Sequence, residues 1–103
     1  SKRPNTVEQY FDDPLDRMRA TFYHEFGHHL HQQKFVKNFK EYANPKLEKD
    51  LIRIPYFKRN GASIYSDVTS KEWFCENFAL FHMDRKDLVD PEWIKFFKEY
   101  VDV

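Results

Sequence analysis

Leu15, Met18, Phe22, Phe26 and Leu30 recur every three or four residues, the period of a helix with one apolar face. The pattern predicts a helix from Leu15 to about Phe35, with Asp13 as its cap and Pro14 at its first position. A second helix is expected from Pro45 to Arg59, capped by Asn44 and stopped by Asn60-Gly61. Pro55 inside it predicts a kink or break. A third helix is expected over Ser70–Asp84, and a fourth over Pro91–Val101 behind Asp90 and Pro91. Asp84–Val89 reads as a loop. The polar residues 1–14 hold at most a short helical turn around Val7–Phe11, with Asn5 or Thr6 as cap. Ala62–Val68, containing Ile64 and Tyr65, reads as extended or loop. The fold class expected is mainly α, with at most a short β segment around 62–68.

The first helix also carries His24-Glu25-Phe26-Gly27-His28, an H-E-x-x-H pattern. Residues four apart on a helix lie about 40° apart, one turn up the same face. Two imidazoles so placed can reach one Zn²⁺ at roughly 2.0–2.1 Å. Glu25, one residue on, stands beside such a metal, where it can take a proton from an activated water. Leu15, Phe22 and Phe26 fall about 160–200° from His24. The helix is therefore expected to pack its Phe/Leu side on the core and to turn His24 and His28 toward a cleft. His29, at the edge of the apolar stripe, is expected to be packed or hydrogen-bonded. His31 is expected to be exposed rather than a ligand.

A catalytic zinc needs a third protein ligand and an open position. Glu72 and Glu76 share one face of the third helix with Ala79, opposite Phe74, Phe78 and Phe81. Either carboxylate could reach a metal held by the first helix, and Ala79 would let the two helices approach. Cys75 is a third possibility by chemistry, although a small buried residue is the plainer reading. Thr69-Ser70-Lys71-Glu72 also fits a capping box, in which Glu72 folds back on the helix start.

The remaining sequence narrows the class. The 103 residues suit one domain, and 11 Phe, 6 Tyr and 2 Trp are enough aromatic surface for a core. Lys+Arg 17 against Asp+Glu 17 gives no net charge, which disfavours a nucleic-acid binder. The balance is uneven: residues 34–60 carry eight basic and three acidic side chains, residues 61–103 five and nine. One cysteine excludes an internal disulfide, and no apolar run approaches a membrane span or a signal-peptide core. A cytoplasmic or virion-associated setting is favoured over a disulfide-rich secreted one. Because the chain begins Ser1-Lys2-Arg3 without Met, it is expected to be a fragment of a longer protein, with other domains of that chain as neighbours.

H-E-F-G-H followed by Tyr65, Glu72 and Glu76, in the spacing Tyr-x₆-Glu-x-x-x-Glu, resembles the zinc endopeptidases related to anthrax lethal factor, in the gluzincin branch of the zincins. Related domains occur in phage head-morphogenesis proteins and bacterial toxins. Glu72-Trp73-Phe74-Cys75-Glu76-Asn77-Phe78-Ala79 is similar to a Glu-Phe-Phe-Ala-Glu-x-Phe stretch of that group. The resemblance implies a single zincin-like metallopeptidase domain over residues 1–103, cleaving a protein or peptide substrate. It implies His24, His28 and Glu72 as zinc ligands and Glu25 as general base. It implies Glu76 behind the ligands, holding a histidine, and Tyr65 donating to the oxyanion. The small sheet usual before the H-E-x-x-H helix is not legible in residues 1–14. That departure keeps a second function open: a non-catalytic, zinc-stabilised structural or interaction module of a phage or toxin protein.

Overall fold

The computed structural model describes residues 3–37, 41–42, 44–57 and 62–101. Four helices dominate: α1 (Pro14–Leu30), α2 (Pro45–Phe57), α3 (Ser70–His82) and α4 (Pro91–Phe96). α1 runs on as a π-helical turn over His31–Phe35, and α4 does so over Phe97–Val101. Short 3₁₀ turns lie at Val7–Tyr10, Tyr65–Asp67 and Lys86–Leu88. A two-residue antiparallel pair joins β1 (Val36–Lys37) to β2 (Glu41–Tyr42), with Val36 opposite Tyr42. The chain is thus mainly α.

Local chemistry sets the helix starts. Asp13 accepts from the Leu15 amide, Asn44 from Lys46, Thr69 from Glu72 and Asp90 from Glu92, at 2.8–3.1 Å. Each satisfies an N–H that the first turn leaves without an intrahelical partner. α3 closes on Asp84, whose φ of 60° is a left-handed residue past the helix end. α2 continues past Pro55 to Phe57 instead of breaking there. The Asn60-Gly61 stop lies outside the described residues.

α3 is the central element. Every residue from Trp73 to Phe81 is buried. Phe74 sits at the middle of a ring cluster with Phe35, Phe78, Trp93, Phe96 and Phe97, at centroid distances of 5.6–6.0 Å. Each such aromatic pair adds to the large area its rings already bury.

α1 packs on α3 with the face opposite to the one expected. Ala20, His24 and Gly27 are its buried residues, while Leu15, Met18, Phe22 and Phe26 are 64, 67, 62 and 44% exposed. The reason is close approach. A Cβ added to Gly27 would lie 3.3 Å from the Cys75 Cα and 3.4 Å from Cys75 Sγ and Phe78 Cδ2. A face of Ala and Gly allows that seam; a face of Leu and Phe does not. Gly27→Ala should therefore destabilise the protein by about 1 kcal/mol net. The crowding against backbone, roughly 1–3 kcal/mol, outweighs the better helix propensity of Ala, about 1 kcal/mol. An unchanged or raised urea midpoint would refute this.

Two histidines are also placed differently from expectation. His29 is exposed beside Phe26. His31 is buried at the end of α1, against Phe35, Tyr42 and Phe74. Its Nε2 meets the Tyr42 hydroxyl at 3.1 Å, and its Nδ1 is buried without a partner. Burial, with the charges of Lys71 and His28 behind it, lowers its pKa to about 4. The unfolded chain therefore takes up this proton first, and stability falls as pH drops from about 6.5 toward 4. His31→Phe keeps the ring packing and should flatten that decline, read from urea midpoints at pH 7 and pH 5 in the presence of a chelator. An identical pH dependence in the variant would refute the assignment.

The segment 62–68 is not extended. Ser63 and Ser66 bond each other: Ser66 N–H donates to Ser63 Oγ, and Ser66 Oγ donates to the Ser63 carbonyl. That exchange curls Tyr65–Asp67 into a 3₁₀ turn. The chain start lies alongside it. Ile64 N–H donates to the Pro4 carbonyl and Tyr65 N–H to that of Asn5, at 3.0 and 2.9 Å. Arg3 bridges to Asp67 at 2.7 Å. The turn expected around Val7–Phe11 is present as Val7–Tyr10, but Thr6 makes no side-chain cap bond. No helix among the described residues is long and apolar enough to cross a membrane.

Candidate metal centre

The seam between α1 and α3 brings the chemistry-bearing residues together. His24 Nε2 lies 3.1 Å from His28 Nε2. Glu72 Oε1 lies 2.8 Å from His28 Nε2 and 3.3 Å from His24 Nε2. Tetrahedral zinc ligands at 2.0–2.1 Å stand about 3.3 Å apart, so the three atoms are spaced as such ligands would be. Glu72 Oε1 is buried and takes no hydrogen bond in good geometry, despite the two nitrogens beside it. A buried carboxylate oxygen left this way is costly unless a cation meets it. Among the described residues, His24, His28 and Glu72 form the group able to hold a metal ion.

The start of α3 explains why Glu72 is available. Thr69 Oγ accepts the Glu72 amide at 3.1 Å, which is one half of a capping box. The other half is missing: the Glu72 carboxylate turns to the histidines, and its Oε2 accepts from the Tyr65 hydroxyl at 2.7 Å.

Glu76, one turn further along α3, is 1% exposed and makes three hydrogen bonds. Its Oε2 meets His24 Nδ1 at 2.8 Å. Its Oε1 accepts from Ser63 Oγ at 2.8 Å and from the Val7 amide at 3.1 Å. An ionised carboxylate only accepts, so Nδ1 of His24 is the nitrogen that donates, and in the neutral ring Nε2 has its lone pair facing Glu72 and His28. Burial works against a charged His24. The Glu76 hydrogen bond and the charges of Glu76, Glu72 and Glu8 outweigh it and hold the pKa above the ordinary histidine value.

Tyr65 stands beside the cluster, its ring 5.9 Å from that of His24. The hydrogen bond to Glu72, with burial and the charges of Glu72, Glu76 and Glu25 behind it, pushes its phenol up to about 12. It is a proton-bearing donor at neutral pH. Glu25 is exposed on α1, next in chain to His24 and near enough for its charge to register on Tyr65. Cys75 is fully buried against Gly27, where burial raises its thiol well above the usual range, and it is not among the three residues that converge.

Three contributors were not read from the sequence. Ser63 has a faint signal, since Ser63-x-x-Ser66 is a pattern that favours a side-chain-bonded turn. Glu8, tied to Thr21 at 2.9 Å, adds negative charge near His24 from outside any motif. The Val7 amide is backbone and carries no side-chain signature. The chain matches no protein-family model, no curated protein and no solved structure.

Proposed function

We propose that this chain is a zinc-dependent endopeptidase domain of compact, zincin-like build. The observation that carries the reading is the convergence of His24 Nε2, His28 Nε2 and the unbonded, buried Glu72 Oε1. These three would hold the ion. Bound there, zinc supplies Lewis-acid activation of water and of the scissile carbonyl near neutral pH. Glu25 takes the proton of the attacking water at its carboxylate and passes it to the leaving amine. Tyr65, in exchange for its bond to Glu72, donates to the developing oxyanion. Glu76 holds His24 in the ligating tautomer throughout. The substrate is a protein or peptide.

The purified chain should carry one zinc, and it should cleave a mixture of unstructured peptides in a manner abolished by chelation and restored by zinc. His28→Ala should lose the stoichiometric metal. A parent chain that takes up no zinc, or a His28→Ala variant that binds it equally well, would overturn the site.

A second reading has one observation in its favour. The β pairing among the described residues is two residues long and follows the C-terminal end of α1. No longer strand is described there to hold an extended substrate. A zinc-stapled interaction module would bind the metal and raise stability on loading, with no cleavage of any peptide in the mixture.

A further inference from the structure

Among the described residues, α1 carries an exposed apolar stripe. Leu15, Met18, Phe22 and Phe26 lie on one side of the helix over about 16 Å, at 1.5 Å per residue. Phe22 and Phe26 stack at 6.2 Å with 27° between ring planes, which makes a flat apolar plate. At their exposures the four side chains leave on the order of 500 Å² of apolar surface in water, the upper range for a monomer. Among the described residues, the two cations of this helix are turned to other partners. Arg17 Nε donates to the Phe11 carbonyl at 2.5 Å, and Arg19 leans toward Asp16 at 3.9 Å.

We propose that this face pairs with the same face of a second copy of the chain. Two stripes brought together would bury on the order of 1,000 Å², the lower bound for a specific interface. An antiparallel arrangement about a two-fold axis between Met18 and Phe22 sets Leu15 of each copy beside Phe26 of the other. It also sets Met18 beside Phe22, so each aliphatic side chain meets a ring. Equal numbers of acidic and basic side chains leave no net charge, so nothing repels one copy from another at long range. The stripe and the His24 face lie on opposite sides of α1, so pairing leaves the α1–α3 seam intact. Glu25, three residues beyond Phe22, would stand at the margin of the interface. The pairing does not depend on metal or on peptide cleavage.

Sedimentation equilibrium of the full chain from micromolar to submillimolar concentration tests this. The expected result is a mass rising to twice that of the monomer. Phe22→Glu puts a charge at the centre of the stripe and should hold the chain at monomer mass over the same range, with unchanged circular dichroism. Met18→Lys should do the same and stands in if Phe22→Glu fails to fold. Lys95→Glu, on α4, should leave the dimer as it is. A parent chain that stays monomeric throughout would overturn the proposal, as would a dimer that survives both stripe variants.

Discussion

Glu76→Gln should cost the protein its zinc while leaving its fold in place. The substitution is nearly isosteric and would be mild at most sites. Here two donors, the Ser63 hydroxyl and the Val7 amide, converge on one oxygen of the side chain. They would hold the amide oxygen of Gln in that position and turn its NH₂ toward His24 Nδ1. An NH₂ can only donate, so Nδ1 would have to accept and the ring proton would move to Nε2. The nitrogen facing Glu72 and His28 would then have no lone pair for a metal. The expected loss is at least the 10–100-fold typical of removing an outer carboxylate. Calorimetric zinc titration measures it, and thermal melting of the metal-free protein checks the fold. A variant within threefold of the parent in zinc affinity would mean that Glu76 does not select the tautomer.

Glu25→Gln separates the two readings of function from the other direction. Glu25 is exposed and is not among the three converging ligand atoms, so its loss should leave zinc content and stability unchanged. A carboxamide cannot take a proton from water. Peptide cleavage should fall by about 10²–10⁴ in kcat/KM, the usual contribution of a positioned base. Full residual activity with zinc retained would move the base to another group. If the parent binds zinc and cleaves nothing, the interaction-module reading stands and this substitution is silent.

How much was legible in the sequence follows the range of each interaction. The caps at Asp13, Asn44, Thr69 and Asp90 act within two or three residues, and all four are in place. The spacing of His24 to His28, and of Glu72 to Glu76, is a property of one helix each, and both pairs reach the α1–α3 seam. The buried face of α1 was not legible, because hydrophobic patterning weighs Phe and Leu above Ala and Gly. What decided the packing is tertiary: the Gly27 contact with Cys75 and the bond from His24 to Glu76, 52 residues away. The same holds for His31, buried by a Tyr42 that the pattern did not bring near it. For 62–68 the sequence leaves extended and loop both open, and the two serines and the chain start decide for a turn.

The bond from Val7 to Glu76 also orders events in time. It closes 69 residues of chain, and loops of that length close late, since their entropic cost precedes any reward. His24 and His28 sit one turn apart and can meet a metal as soon as α1 forms. Glu72 and Glu76 join only when α3 docks, and the Val7 turn seals the last acceptor after that. If the proposed site takes up zinc, docking of α3 is thus the event that completes a two-histidine contact with a carboxylate. Hydrogen exchange at the Val7 amide would report that final closure, at a residue outside the candidate ligand set.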